Sequence, residues 1–178
     1  MDLQIIPATQ EHIPLISSLG AKTFSETYLA IIPSRAEIVK AYVDENFSRE
    51  KILDEMSDGK VQFFIVEADT ETIGYAKIVE SQPPGQVKNR PTIELERIYL
   101  DKSRVGKGLG KKILSRISTK VRTEGFKSMW LAVFDQNKSA IDFYRREGFQ
   151  EVGQRKFEFE WNGLQYSDCD LLFELPLS

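Results

Sequence analysis

The chain has 178 residues, 41% hydrophobic and 29% charged, with a formal net charge of -3. That is enough chain for one domain with its own core, in the balance of an ordinary globular protein. No apolar run approaches the roughly 20 residues a membrane helix needs, and the N-terminus lacks a basic stretch followed by an apolar core. The lone cysteine, Cys169, rules out an internal disulfide, and with a single histidine beside it a Cys/His metal site is not expected. These bounds predict one domain over residues 1–178, in a cytoplasmic setting.

Residues 3 to 6 read as a short strand. Thr9 can cap a helix patterned by Ile13, Leu15, Ile16 and Leu19, and the stretch 21 to 28 continues or follows it. His12 sits in the exposed first turn, where a surface role is expected over a catalytic one. Pro33 breaks the chain, Ser34 starts a helix to about Asn46, and Ser48 starts another to about Ser57. Two strands follow, 61 to 67 and 71 to 80, joined at Asp69-Thr70, with Gly74 marking a candidate bulge. Residues 81 to 90, with Pro83-Pro84-Gly85, form a loop.

From Thr92 to Tyr99 strand formers dominate, and Asp101 and Ser103 punctuate the end. Gly106, Gly108 and Gly110 then alternate with Val105, Lys107 and Leu109. Leu109, Ile113, Ile117 and Val121, with Leu114 beside them, make one apolar helical stripe that Gly125 closes. Glycines before a helix N-terminus bring backbone donors close to an anion, as a phosphate or pyrophosphate site requires. Charge agrees: from Asp101 to Arg122 that aspartate is the sole acid among Lys102, Arg104, Lys107, Lys111, Lys112, Arg116, Lys120 and Arg122. A solvated polar helix face is the plainer reading of the same residues. A Walker site is excluded because Lys112 stands where its Ser or Thr would be, and the Rossmann glycine spacing does not match.

Met129 to Phe134 is an apolar strand, and Asn137 to Glu147 a helix ended by Gly148. Residues 149 to 160 and 164 to 175 form a hairpin around Trp161-Asn162-Gly163. The order is β-α-α-α-β-β-β-α-β-α-β-β, an α/β (α+β) class with a mixed, mostly antiparallel sheet of about seven strands flanked by helices.

Two stretches carry a resemblance. Val105-Gly106-Lys107-Gly108-Leu109-Gly110 resembles the cofactor turn of the GNAT superfamily of acetyl-CoA-dependent N-acetyltransferases, with Val105 where that pattern has Arg or Gln. Asn137 to Phe149 is similar to the same family's Asn-x-x-Ala-x-x-Phe-Tyr…Gly-Phe segment. Asn137 and Tyr144 lie two helical turns apart on one face, though a helix that merely packs Ala140, Phe143 and Tyr144 would read the same way.

The resemblance implies a single GNAT-like domain that binds acetyl-CoA and acetylates an amine by direct attack in a ternary complex. It implies that backbone groups of Ile98, Tyr99 and Leu100 hold the pantetheine arm, that Val105 to Lys111 cradle the pyrophosphate, that Asn137 bonds the cofactor and that Tyr144 protonates the leaving thiolate. Glu94 and Glu96 share a strand face, and a bulge is expected near Arg97. Glu96 is the candidate general base, acting through water, unless it pairs with a basic neighbour. The stretches Thr23 to Tyr28 and Leu95 to Tyr99 are similar to those of bacterial polyamine N-acetyltransferases, which implies spermidine or spermine as acceptor. Glu26 and Tyr28, with Phe24, would then meet a flexible polycation, although both rings suit a core equally well. Rival readings are acetylation of a protein N-terminus or lysine, and an idle CoA-binding or partner-binding module. No nucleic-acid or membrane partner is expected, and a homodimer is compatible with the sequence.

Overall fold

A computed structural model describes residues 2–69, 71–104 and 107–177. Strand β1 (Leu3–Pro7) leads into a 3-10 turn, Gln10–His12, and helix α1 (Ile13–Ile31). His12 acts locally, where its Nδ1 accepts the Thr9 N–H at 2.9 Å and closes a capping box. Helix α1 runs unbroken through residues 21–28, so that stretch continues the helix. Pro33–Arg35 form a second 3-10 turn before α2 (Ala36–Asn46), and α3 (Arg49–Ser57) starts where Ser48 accepts from the Lys51 N–H. Sequence capping signals thus set these starts to within a few residues.

Strands β2 (Val61–Ala68) and β3 (Glu71–Val79) pair antiparallel, with a register shift between Val66 and Glu67 opposite Gly74 and Thr72. Gly74 is required there for another reason also. A Cβ at that position would come within 2.3 Å of the Tyr99 carbonyl oxygen on β4 (Thr92–Leu100). Helix α4 (Leu109–Thr123) makes the crossover that a parallel β4 to β5 (Ser128–Phe134) pairing needs. Helix α5 (Lys138–Arg146) precedes the long hairpin of β6 (Gln150–Trp161) and β7 (Leu164–Pro176), turned at Asn162 and Gly163. The seven-stranded sheet has the order β1-β2-β3-β4-β5-β7-β6. Its β4/β5 pair is parallel, while β1/β2, β2/β3, β5/β7 and β6/β7 are antiparallel. This is the mixed α/β architecture the sequence predicts.

Contacts group the chain into two compact units, Met1–Val79 with Leu95–Ile117, and Glu80–Glu94 with Ser118–Ser178. In the first, Ile13, Ile16, Ile52, Phe63, Ile65 and Tyr75 form one apolar cluster, and Phe24, Val39 and Phe47 another. In the second, Val87, Trp130 and Leu172 pack together. Glu174, buried at 4% exposure, ties down the 81–90 loop by accepting from the Lys88 and Asn89 backbone N–H groups and the Asn89 side chain. Every position of the α4 stripe, Leu109, Ile113, Leu114, Ile117 and Val121, is buried. No helix among the described residues is long and apolar enough to cross a membrane.

Candidate active site

The turn from β4 into α4 is fixed at its start. Asp101 accepts from the Ser103 hydroxyl at 2.7 Å, from the Ser103 N–H at 3.0 Å and from Lys22 Nζ on α1 at 2.9 Å. These bonds, the Ser103 hydroxyl first and Lys22 next, hold its carboxyl well below the usual range. Arg104 is bonded to Glu71 instead of pointing unpaired toward the glycines. Val105 and Gly106 of the expected cradle lie outside the described residues. Gly108 has φ of 71°, a left-handed backbone that glycine takes without strain, and nothing lies within 4 Å of where its Cβ would be. Leu109, buried at 1%, pins the first residue of α4 to the core, with Gly110 and Lys111 following in the first turn. Backbone donors at that end have no intrahelical acceptor. Lys107, Lys111, Lys112 and Arg116 are exposed around it. Open space beside Gly108, a helix N-terminus and cationic side chains fit the pyrophosphate of a CoA-type cofactor.

Upstream, β4 pairs with β5 at Thr92, Ile93 and Glu94. Among the described residues the β4/β5 register ends at Glu94, and Ile98, Tyr99 and Leu100 lie further along β4. Glu96 and Arg97 are consecutive, the first exposed and the second buried, and their long side chains meet at 3.3 Å.

Glu96 is not an isolated carboxylate. Its Oε1 accepts from Lys77 Nζ at 2.7 Å as well as facing Arg97 Nη2. The pairing with basic neighbours, weighed in the sequence against a proton-accepting role, is therefore present. Lys77, Arg97 and their partner Glu55 were not singled out by sequence reasoning. A signal existed: Lys77 interrupts an apolar β3 between Ala76 and Ile78, and a lysine in such a run is rarely buried without a partner.

Asn137 and Tyr144 stand in the second unit. Asn137 Oδ1 accepts from the Ala140 N–H at 3.2 Å and so caps α5, which leaves its amide NH2 for other partners. The half-buried Tyr144 ring meets Phe143 and Phe149 edge-on at 5.2 and 5.4 Å. Burial pushes its phenol well above the ordinary tyrosine value, so the group stays protonated as a donor requires.

The expected acceptor contacts divide. Phe24 is packed, not presented: its ring is stacked between Tyr28 at 4.1 Å and Tyr42 at 4.6 Å, with Phe47 tilted at 5.5 Å. With 9% of its surface exposed it packs in the core, the alternative that stood beside its acceptor role. Tyr28 keeps partial exposure beside it, and Glu26 is exposed on the same helix. Among the described residues no group of three or more His, Cys, Asp or Glu could hold a metal ion.

The sequence model of the acetyltransferase (GNAT) family matches residues 26–149. An uncharacterized N-acetyltransferase in the pepI 3' region of Lactobacillus delbrueckii subsp. lactis is 24% identical over 155 residues, covering 87% of this chain and 88% of that protein. The spermidine N(1)-acetyltransferase of Thermoplasma acidophilum is 25% identical over 156 residues, covering 84% and 89%. Among solved structures, the PaiA N-acetyltransferase of Thermoplasma acidophilum in complex with coenzyme A superposes with a TM-score of 0.70 at 20% identity, over 99% of both chains. That likeness is one of fold.

Proposed function

Because the chain belongs to the acetyltransferase (GNAT) family, and is thereby an acetyl-CoA-dependent N-acetyltransferase, we propose that it acetylates a primary amine of a polyamine such as spermidine or spermine. The observation that carries the acceptor class is the pair of solvent-reaching carboxylates, Glu26 and Glu96, within one compact unit. Two separated anions suit a flexible polycation better than a single ammonium group. The spermidine enzyme of Thermoplasma acidophilum, similar over 84% of this chain, supports the same acceptor. The cytoplasmic setting that the sequence predicts belongs to this reading.

Acetyl-CoA, when bound, supplies the thioester and a thiol leaving group. The residues of the chain do the rest. Lys107 to Lys111 hold the pyrophosphate through backbone donors and charge. Backbone groups of Ile98, Tyr99 and Leu100 position the pantetheine arm, and a backbone N–H there polarises the acetyl carbonyl. Glu96, with Oε1 committed to Lys77 and Arg97, uses Oε2 to hold the acceptor's ammonium and to receive its proton through a bridging water, since a protonated amine is no nucleophile. Tyr144 Oη gives its proton to the departing thiolate. No histidine or cysteine is placed for a covalent route, so attack is direct.

Thiol release from acetyl-CoA, measured with spermidine, spermine and lysine-containing peptides, tests the reading. Polyamines should turn over faster than peptides. Release with peptides alone would overturn the acceptor and leave the reaction class standing, and release with no amine would reduce the chain to a CoA-binding module.

A further inference from the structure

Glu96 belongs to a ring of four charged groups drawn from three elements. Lys77 Nζ on β3 lies 2.7 Å from Glu96 Oε1 and 2.9 Å from Glu55 Oε1 on α3. Arg97 on β4 reaches Glu96 Oε1 with Nη2 at 3.3 Å and faces Glu55 Oε2 with Nη1 at 3.9 Å. Exposure is graded around the ring: the side chains of Lys77, Arg97 and Glu55 are 3%, 6% and 13% exposed, and that of Glu96 is 31%. Lys77 also sits 5.6 Å from the Phe63 ring centre and Arg97 4.5 Å from that of Phe47.

Burying such charges brings little net stability, because desolvation offsets the attraction and an apolar replacement of like volume is commonly as stable. Packing alone therefore does not explain a lysine between Ala76 and Ile78. The balance of charge is more informative. The three buried members carry two positive charges and one negative, so their surplus positive charge is matched by the one member that reaches solvent. Within the buried set Glu55 Oε2 and Arg97 Nη1 find no hydrogen-bond partner. The ring thus closes through Glu96. Other groups facing it change this little. Tyr75 is kept neutral by burial, the Tyr99 phenol likewise, and Lys51 on α3 stands 3.9 Å from Glu55 Oε1 with 45% exposure.

We infer that Glu55, Lys77 and Arg97 are positioning residues that hold Glu96 Oε1 and so turn Oε2 toward the acceptor's ammonium group. This rests on the reading of Glu96 given above. Without Lys77, Glu96 Oε1 loses its 2.7 Å partner and the carboxylate is free to turn. Glu55 acts one step further back, by holding Lys77 Nζ at 2.9 Å.

The test is kcat/KM for the amine in wild type and in a Glu96→Gln background. Misplacing a reacting group costs about tenfold or more, so Lys77→Met should lower kcat/KM for the amine at least about tenfold while leaving the KM for acetyl-CoA unchanged. In the Glu96→Gln background the same substitution should cost nothing further, because the carboxylate it orients is gone. Lys77→Arg should recover most of the loss. If Lys77→Met does not fold, the isosteric Glu55→Gln carries the same comparison. An equal cost in both backgrounds would overturn the positioning role. Glu96→Gln with wild-type kcat/KM sinks the role of Glu96 itself, whereas a slow Glu96→Gln with Lys77 and Glu55 variants at wild-type rate sinks only the network.

Discussion

At the scale of single residues, Tyr144 offers the sharpest prediction. General acid catalysis is worth typically about 10²- to 10⁴-fold, and Tyr144→Phe removes only the hydroxyl from a ring already packed against Phe143 and Phe149. Steady-state kinetics should show kcat lowered at least about tenfold, water replacing part of the donor, with the KM for acetyl-CoA little changed. Wild-type kcat with chemistry rate-limiting would leave Tyr144 as packing. Asp101 predicts a pH effect on stability. Its folded carboxyl is held low by Ser103 and Lys22, so in the acid range the unfolded chain binds more protons than the native one. The contribution is complete above the unfolded value, about pH 4, and fades as pH falls toward the lower native value. Urea melts should therefore show Asp101→Asn less stable near neutrality, with the gap closing on acidification. A constant gap would mean that the Lys22 and Ser103 bonds do not bias the carboxyl. The turn between β4 and α4 stood out in the sequence because glycines alternate there among lysines. Lys77, Arg97 and Glu55 were not, since their meaning depends on a meeting of α3, β3 and β4 that no local pattern encodes.

At the scale of elements, capping and periodicity made most of the chain readable. The Ser48 cap, the α4 stripe and the Asn162-Gly163 hairpin each state their structure in a few consecutive residues. Phe24 shows where this fails: an aromatic one turn from Tyr28 on α1 suits a ligand or a core, and only the Tyr42 ring on α2 decides for the core. Asn137 shows an element depending on one side chain. Its carboxamide oxygen caps α5, a helix of 9 residues that has little stability of its own. Asn137→Ala should cost about 1 kcal/mol in thermal or denaturant melts, while Asn137→Asp should retain the cap. If the amide NH2 also serves the cofactor, Asn137→Asp should still weaken CoA binding by calorimetry. Unchanged affinity in that variant would leave the residue a cap alone.

At the scale of the whole molecule, the order of elements was legible, but the division into two compact units was not, because it depends on contacts remote in sequence. A ligand that binds only the folded chain adds to its stability by mass action, about 2.7 kcal/mol at a hundredfold excess over Kd. Saturating CoA should raise the melting temperature, and Gly108→Glu, which fills the open space beside the α4 N-terminus with an anion, should abolish that rise. An equal rise in the variant would move the pyrophosphate elsewhere. The two units also interleave along the chain. The chain enters the first unit, leaves it after Val79, returns at Leu95 and departs again after Ile117. No single break in the polypeptide separates one unit whole from the other. No excision of a single continuous segment therefore removes either unit whole and leaves the other intact.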